Sequence, residues 1–80
     1  MIEIEIKLRY NERLLDLIVL SLKPDYKDVS FERSDSLLLV KFSANEVTKA
    51  RAKFNTITRL IQSIIDIYNL NREENLFREQ

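Results

Sequence analysis

Eighty residues carrying 13 basic and 13 acidic side chains have no net charge to draw the chain towards nucleic acid or a membrane. With no cysteine, histidine or glycine, the sequence excludes disulfides, thiolate catalysis, imidazole chemistry and phosphate-cradling glycine loops. A chain this short buries only about 60–65% of its unfolded surface, so a partner or a second copy is a natural supplement.

Ile2 to Arg9 alternates strictly, with Ile2, Ile4, Ile6 and Leu8 on one side and Glu3, Glu5, Lys7 and Arg9 on the other. That period of two predicts a half-buried strand with a solvated back. Asn11 is a candidate N-cap for a short helix reaching about Leu22, with Glu12 favourable in the first turn. Pro24 is expected to stop it by disfavouring helical geometry at Lys23. Val29 to Arg33 alternates again, with Val29 and Phe31 inward. The polar run Arg33-Ser34-Asp35-Ser36 reads as a turn into a third strand, Leu37 to Phe42.

From Asn45 to Leu70 the pattern is helical. Val47, Ala50, Phe54, Ile57, Ile61, Ile64 and Tyr68 step by three and four, so they share one face. Ser43 and Glu46 read as a capping box at its start. Residues 71–80 form a polar tail without a sustained stripe, in which Leu76 and Phe77 are the groups able to dock.

The element order is therefore β-α-β-β-α. It predicts an α+β two-layer sandwich, a three-stranded antiparallel sheet with two helices packed on one face, in a single domain spanning residues 1–80. Ile4, Ile6, Leu8, Val29, Phe31, Leu38, Val40 and Phe42 should form the sheet side of the core. Strand order stays open at this point. No run is long enough to span a bilayer or serve as a signal sequence, and the expected address is cytoplasmic.

Some apolar residues have no place in that core. Leu17 and Leu20 point away from the broad face made by Leu14, Leu15, Ile18, Val19 and Leu22. In the long helix Leu60 and Ile67 lie off the main stripe, flanked by the small residues Ala52, Thr56 and Ser63. They can seal the seam between the two helices. Four of them on neighbouring helices favour a docking face for partner helices. Leu37 and Leu39 likewise project to the back of the third strand, and a strand apolar on both sides is usually central or covered. Either the C-terminal tail folds over it, or two sheets stack or join by their edges.

Thr48, Arg51, Asn55, Arg59, Gln62 and Asp66 fall along one side of the long helix, with Lys49 and Lys53 near its start. A helix needs a solvated side, which accounts for the stripe; the functional alternative is a strip that tracks phosphates or touches a partner. No aromatic residues interleave it, so base stacking is not indicated. The carboxylate pairs Glu3/Glu5 and Glu73/Glu74 sit on a solvated strand face and a polar tail, without the enclosure that shifts a pKa. No catalytic constellation, metal site or cofactor site emerges. A small enzyme or a free-standing RNA-binding module are the competing classes, and zero net charge, no glycine loop and no stacking platform weigh against the latter.

The segments Ser21-Leu22-Lys23-Pro24-Asp25, Val40-Lys41-Phe42-Ser43-Ala44 and Arg51-Ala52-Lys53-Phe54-Asn55-Thr56 resemble the Pcc subunit family, in that order and over nearly the whole chain. This is the small dimerising component of the KEOPS/EKC complex, which installs threonylcarbamoyl on tRNA adenosine. The resemblance implies a non-catalytic role, pairing with itself through its sheet and holding the threonylcarbamoyl-transferase subunit in a helical bundle. It also implies help in engaging tRNA, with weak binding by the chain alone and no small-molecule substrate. On that basis Leu17, Leu20, Leu60 and Ile67 are candidates for the transferase contact, and Leu37 and Leu39 for the dimer. Lys49, Arg51, Lys53, Asn55 and Arg59 are candidates for tRNA or partner contact. A paralogue that replaces one protomer is equally compatible with these residues.

Overall fold

In a computed structural model of the chain, the backbone is described for residues 1–78 and the side chains for residues 1–70. The elements are β1 (Ile2–Arg9), α1 (Glu12–Leu22), β2 (Ser30–Ser34), β3 (Leu37–Ala44) and α2 (Val47–Arg78). The sheet order is β1-β3-β2, with both pairings antiparallel. β3 is thus the central strand, and the two edges run parallel to each other on either side of it. The expected α+β sandwich, a three-stranded antiparallel sheet with two helices in the order β-α-β-β-α, is what the chain forms.

One core joins the layers. Leu14, Leu15, Ile18 and Leu22 of α1 meet Val29, Leu38, Val40 and Phe42, together with Ile57, Ile61 and Ile65 of α2. Ile4, Ile6, Leu8 and Phe31 pack against this cluster half-buried, because they belong to the edge strands. Asn11 caps α1 as expected, its Oδ1 accepting the Leu14 N–H at 2.9 Å. Arg33, on the helix-facing side of β2, fastens α1 to the sheet. It pairs with Asp16, and its Nη1 donates to the Glu12 carbonyl at 3.3 Å.

The hairpin between β2 and β3 is tighter than the polar run suggested. Ser34 already pairs with Leu37, leaving Asp35 and Ser36 as the loop. Asp35 takes a positive φ of 47°, a conformation that aspartate tolerates better than most residues.

Three local expectations change. Ser43 does not cap the long helix: it lies in β3 opposite Glu3, because the β1–β3 ladder runs on to Ile2 and Ala44. α2 begins two residues after the pattern did, at Val47, with the Ala50 N–H donating to the Glu46 carbonyl at 2.9 Å. Lys23 keeps helical dihedrals (φ −55°, ψ −42°) despite preceding Pro24, its N–H donating to Val19. The helix therefore stops because Pro24 has no N–H to continue the ladder, not because Lys23 leaves the helical region. In α2 the buried row is Ala50, Ile57, Ile61 and Ile65, whereas Phe54 is 40% and Val47 63% exposed. The contact with the sheet follows the four-residue ridge of Ile57, Ile61 and Ile65, and Phe54 falls to its flank.

α2 continues in helix eight residues beyond Leu70, so its backbone from 71 to 78 does not fold over the sheet's open face. The docking expected of Leu76 and Phe77 lies outside the described side chains. Among the described residues no helix is long and apolar enough to cross a membrane.

Candidate functional site

The two helices run antiparallel. Tyr68, late in α2, reaches Asn11 at the start of α1, its hydroxyl 3.5 Å from Oδ1. Lys53, early in α2, pairs with Asp28 beyond the end of α1. Lys53 therefore faces the α1 side of α2. Leu60 and Ile67 follow it at seven-residue intervals, about two turns each, so they return to the same side. On α1, Leu17 and Leu20 line an open groove of about 590 Å³ together with Tyr68, Glu12, Arg13 and Asp16.

Of the four residues singled out for a transferase contact, Leu17 and Leu20 line this groove, while Leu60 and Ile67 fall by helical spacing on the α1 side of α2 without lining it. Leu17 is 39%, Leu20 73%, Leu60 37% and Ile67 58% exposed. Leu14, Ile18 and Ile61 belong to the buried core that joins the two helices to the sheet, with Ile64 packed against it. The groove also recruits a residue that sequence reasoning placed in the core. Tyr68 does pack on the core, but its flank forms a groove wall. Its position one residue after Ile67 was the available signal.

Leu37 and Leu39 lie half-buried on the open face of β3. Across the ladder, Leu37 stands opposite Arg9 and Ser34, and Leu39 opposite Lys7 and Glu32. Further along the same face Lys41 stands opposite Glu5 and bonds Glu32 at 3.4 Å. The result is a two-leucine patch bordered by charged residues, of which Lys41 and Glu32 form an ion pair.

Among the candidates for tRNA or partner contact, Lys49, Arg51, Asn55 and Arg59 are exposed on the outer side of α2. Lys53 is not among them in space. It is half-buried, pairs with Asp28, and lies 5.7 Å from the centroid of the Phe42 ring. The Lys53 hydrogen bond holds the Asp28 carboxyl below its ordinary value, against the opposing pull of desolvation. A depressed carboxylate contributes stability above its unfolded pKa, and that contribution fades as pH falls through the folded value. Lys53→Met should therefore return the Asp28 titration upward to the ordinary range, read by carboxylate NMR. An unchanged titration would mean that the pair does not persist in solution.

A second hollow, of about 450 Å³, is bordered by Glu3, Glu5, Asp28, Lys41 and Ser43. Among the described residues no group of three or more His, Cys, Asp or Glu is placed to hold a metal ion.

A family model described as transcription factor Pcc1 matches residues 2–69. No curated protein and no solved structure gave a match. The match runs from the first residue of β1 to the residue after Tyr68, and so includes the sheet, the helical seam and the exposed strip on α2. On that extent the chain belongs to the Pcc1 family, the KEOPS subunit family.

Proposed function

We propose that this KEOPS-associated chain is a non-catalytic scaffold, acting as one Pcc-like domain that pairs with itself through its sheet and holds the threonylcarbamoyl-transferase subunit along its helices. The observation that carries the reading is the seam between α1 and α2. Leu17, Leu20, Leu60 and Ile67 stay exposed there beside a groove, although the helices already bury a full apolar face against the sheet. A stripe of this kind fits an amphipathic partner helix, whose own apolar face would complete a bundle. Leu37 and Leu39 are the proposed apolar element of the dimer surface. Lys49, Arg51, Asn55 and Arg59 offer donors to tRNA once the assembly is formed.

The test uses the chain and the purified transferase subunit, mixed and resolved by gel filtration with light scattering. A co-eluting complex supports the scaffold reading, and its absence at micromolar concentrations rejects it. The isolated chain should bind tRNA weakly at physiological salt, since counterion release by three cations, Lys49, Arg51 and Arg59, supplies little affinity. Tight binding there would favour an RNA-binding module instead.

A further inference from the structure

The chain has no glycine, yet one of its turns is shaped for one. The β2–β3 hairpin closes over two residues, Asp35 and Ser36, between the paired Ser34 and Leu37. Asp35 takes a positive φ of 47° and Ser36 does not. A positive φ at the first loop position alone is the type II′ pattern, and that position is ordinarily glycine. A residue with a side chain is strained there.

The same two residues carry the groups that can release the strain. Both are exposed. Among the described residues, Asp35 is hydrogen-bonded only through its carbonyl, which accepts from Arg33 Nη2 at 3.3 Å. Ser36 is bonded only through its carbonyl, which accepts from the Tyr10 N–H at 3.2 Å. The Asp35 carboxyl and the Ser36 amide nitrogen are therefore adjacent and uncommitted. Ser36 is also small. The other aspartates are followed by Leu17, Tyr26, Val29 and Ile67, whose bulk crowds the next amide nitrogen.

We propose that the Asp35–Ser36 bond is a site of spontaneous backbone modification, at which Asp35 passes through a cyclic imide to isoaspartate. The Ser36 amide nitrogen attacks Cγ of the protonated Asp35 carboxyl. A Cγ–N bond forms, and the carboxyl hydroxyl leaves with the amide proton as water. Water then adds to the Asp35 carbonyl carbon, whose bond to the Ser36 nitrogen breaks. The chain now runs through Cβ and Cγ, and the former carbonyl carbon carries a free carboxylate. The water lost in closing the ring is regained in opening it, so no other reactant is consumed.

The hairpin favours this outcome in two ways. An extra backbone methylene frees the turn from the positive φ. The new carboxylate forms at the carbonyl that Arg33 Nη2 already contacts, so a neutral acceptor becomes a charged one and the bond strengthens. That hydrogen bond also polarises the carbonyl for attack by water, which draws ring opening towards isoaspartate.

The test holds the full chain at physiological temperature and neutral pH and follows isoaspartate with time. Digestion and electron-transfer fragmentation locate it, because the two linkages fragment differently at equal mass. Isoaspartate should accumulate at Asp35 at least about tenfold faster than at Asp25 or Asp28, a barrier difference of about 1.4 kcal/mol. Ser36→Val should slow the reaction by roughly tenfold while the circular dichroism stays unchanged. The folded chain should react no more slowly than the chain unfolded in urea, since the hairpin already exposes and strains the bond. Formation at Asp35 no faster than at Asp25 and Asp28, or confined to the unfolded chain, overturns the proposal. Both comparisons use the wild-type chain, so they decide the matter even if the Ser36 variant fails to fold.

Discussion

Truncating Leu15 to alanine should cost the isolated protein about 2–5 kcal/mol, the range for large-to-small changes in packed cores. Leu15 is 0% exposed and stands on α1 between Leu14 and Ile18, in the cluster shared with Leu38 and Ile57. The loss combines the transfer free energy of the removed carbons with the cavity left behind. Small domains have only about 5–15 kcal/mol in total, so the change removes a large share of the stability. At roughly 4–8 °C per kcal/mol for a domain of this size, the melting temperature should fall by more than about 8 °C. Leu20→Ala is the internal comparison, because Leu20 is 73% exposed and its truncation should stay within about 0.5 kcal/mol. Urea unfolding followed by circular dichroism measures both. Equal effects at the two positions would mean that α1 does not present this face to the sheet.

The second large effect is expected on assembly. Replacing Leu17 and Leu60 together by aspartate should abolish recovery of the transferase subunit while leaving the circular dichroism of the chain intact. Both side chains are more than a third exposed in the isolated chain, so in it the new carboxylates remain hydrated. In the complex they would be buried without partners, at about 1–3 kcal/mol or more each. Two such penalties, about 2–6 kcal/mol together, correspond to roughly a thirtyfold to twenty-thousandfold loss of affinity. Arg51→Ala, on the outer side of the same helix, should leave that complex unchanged and so separates the seam from the polar strip. Undiminished binding by the double variant would reject the seam as the docking face.

Much of the fold could be read from side-chain periodicity. Alternation in Ile2–Arg9 and a three-four step in the long helix are local properties, set by backbone geometry before any tertiary contact. Asn11 was equally legible, because a cap is satisfied within its own helix. The two-sided apolarity of β3 pointed to a strand either central or covered and left the strand order open; in the sheet β3 is the central strand. The misreadings share a cause. Ser43 and Glu46 had the spacing of a capping box, but pairing with β1 keeps Ser43 in the ladder, where partners come from a distant part of the chain. Phe54 belonged to the stripe by spacing, yet the strip of α2 that meets the sheet is too narrow to cover it. Lys53 looked like one basic residue among several until Asp28, 25 positions earlier, proved to be its partner.

By itself, the sequence determined the kinds of element, their order, the absence of cysteine and histidine chemistry, and a surplus of leucine and isoleucine beyond one helical face. Those properties depend on composition and on neighbours within a few residues. Only the tertiary structure decided that α1 and α2 lie antiparallel, with Leu17 and Leu20 lining a groove beside Tyr68 of α2, and that β1 and β2 rather than β3 form the sheet edges. Strand order and helix direction arise from contacts between segments far apart in the chain, and local periodicity carries no record of them.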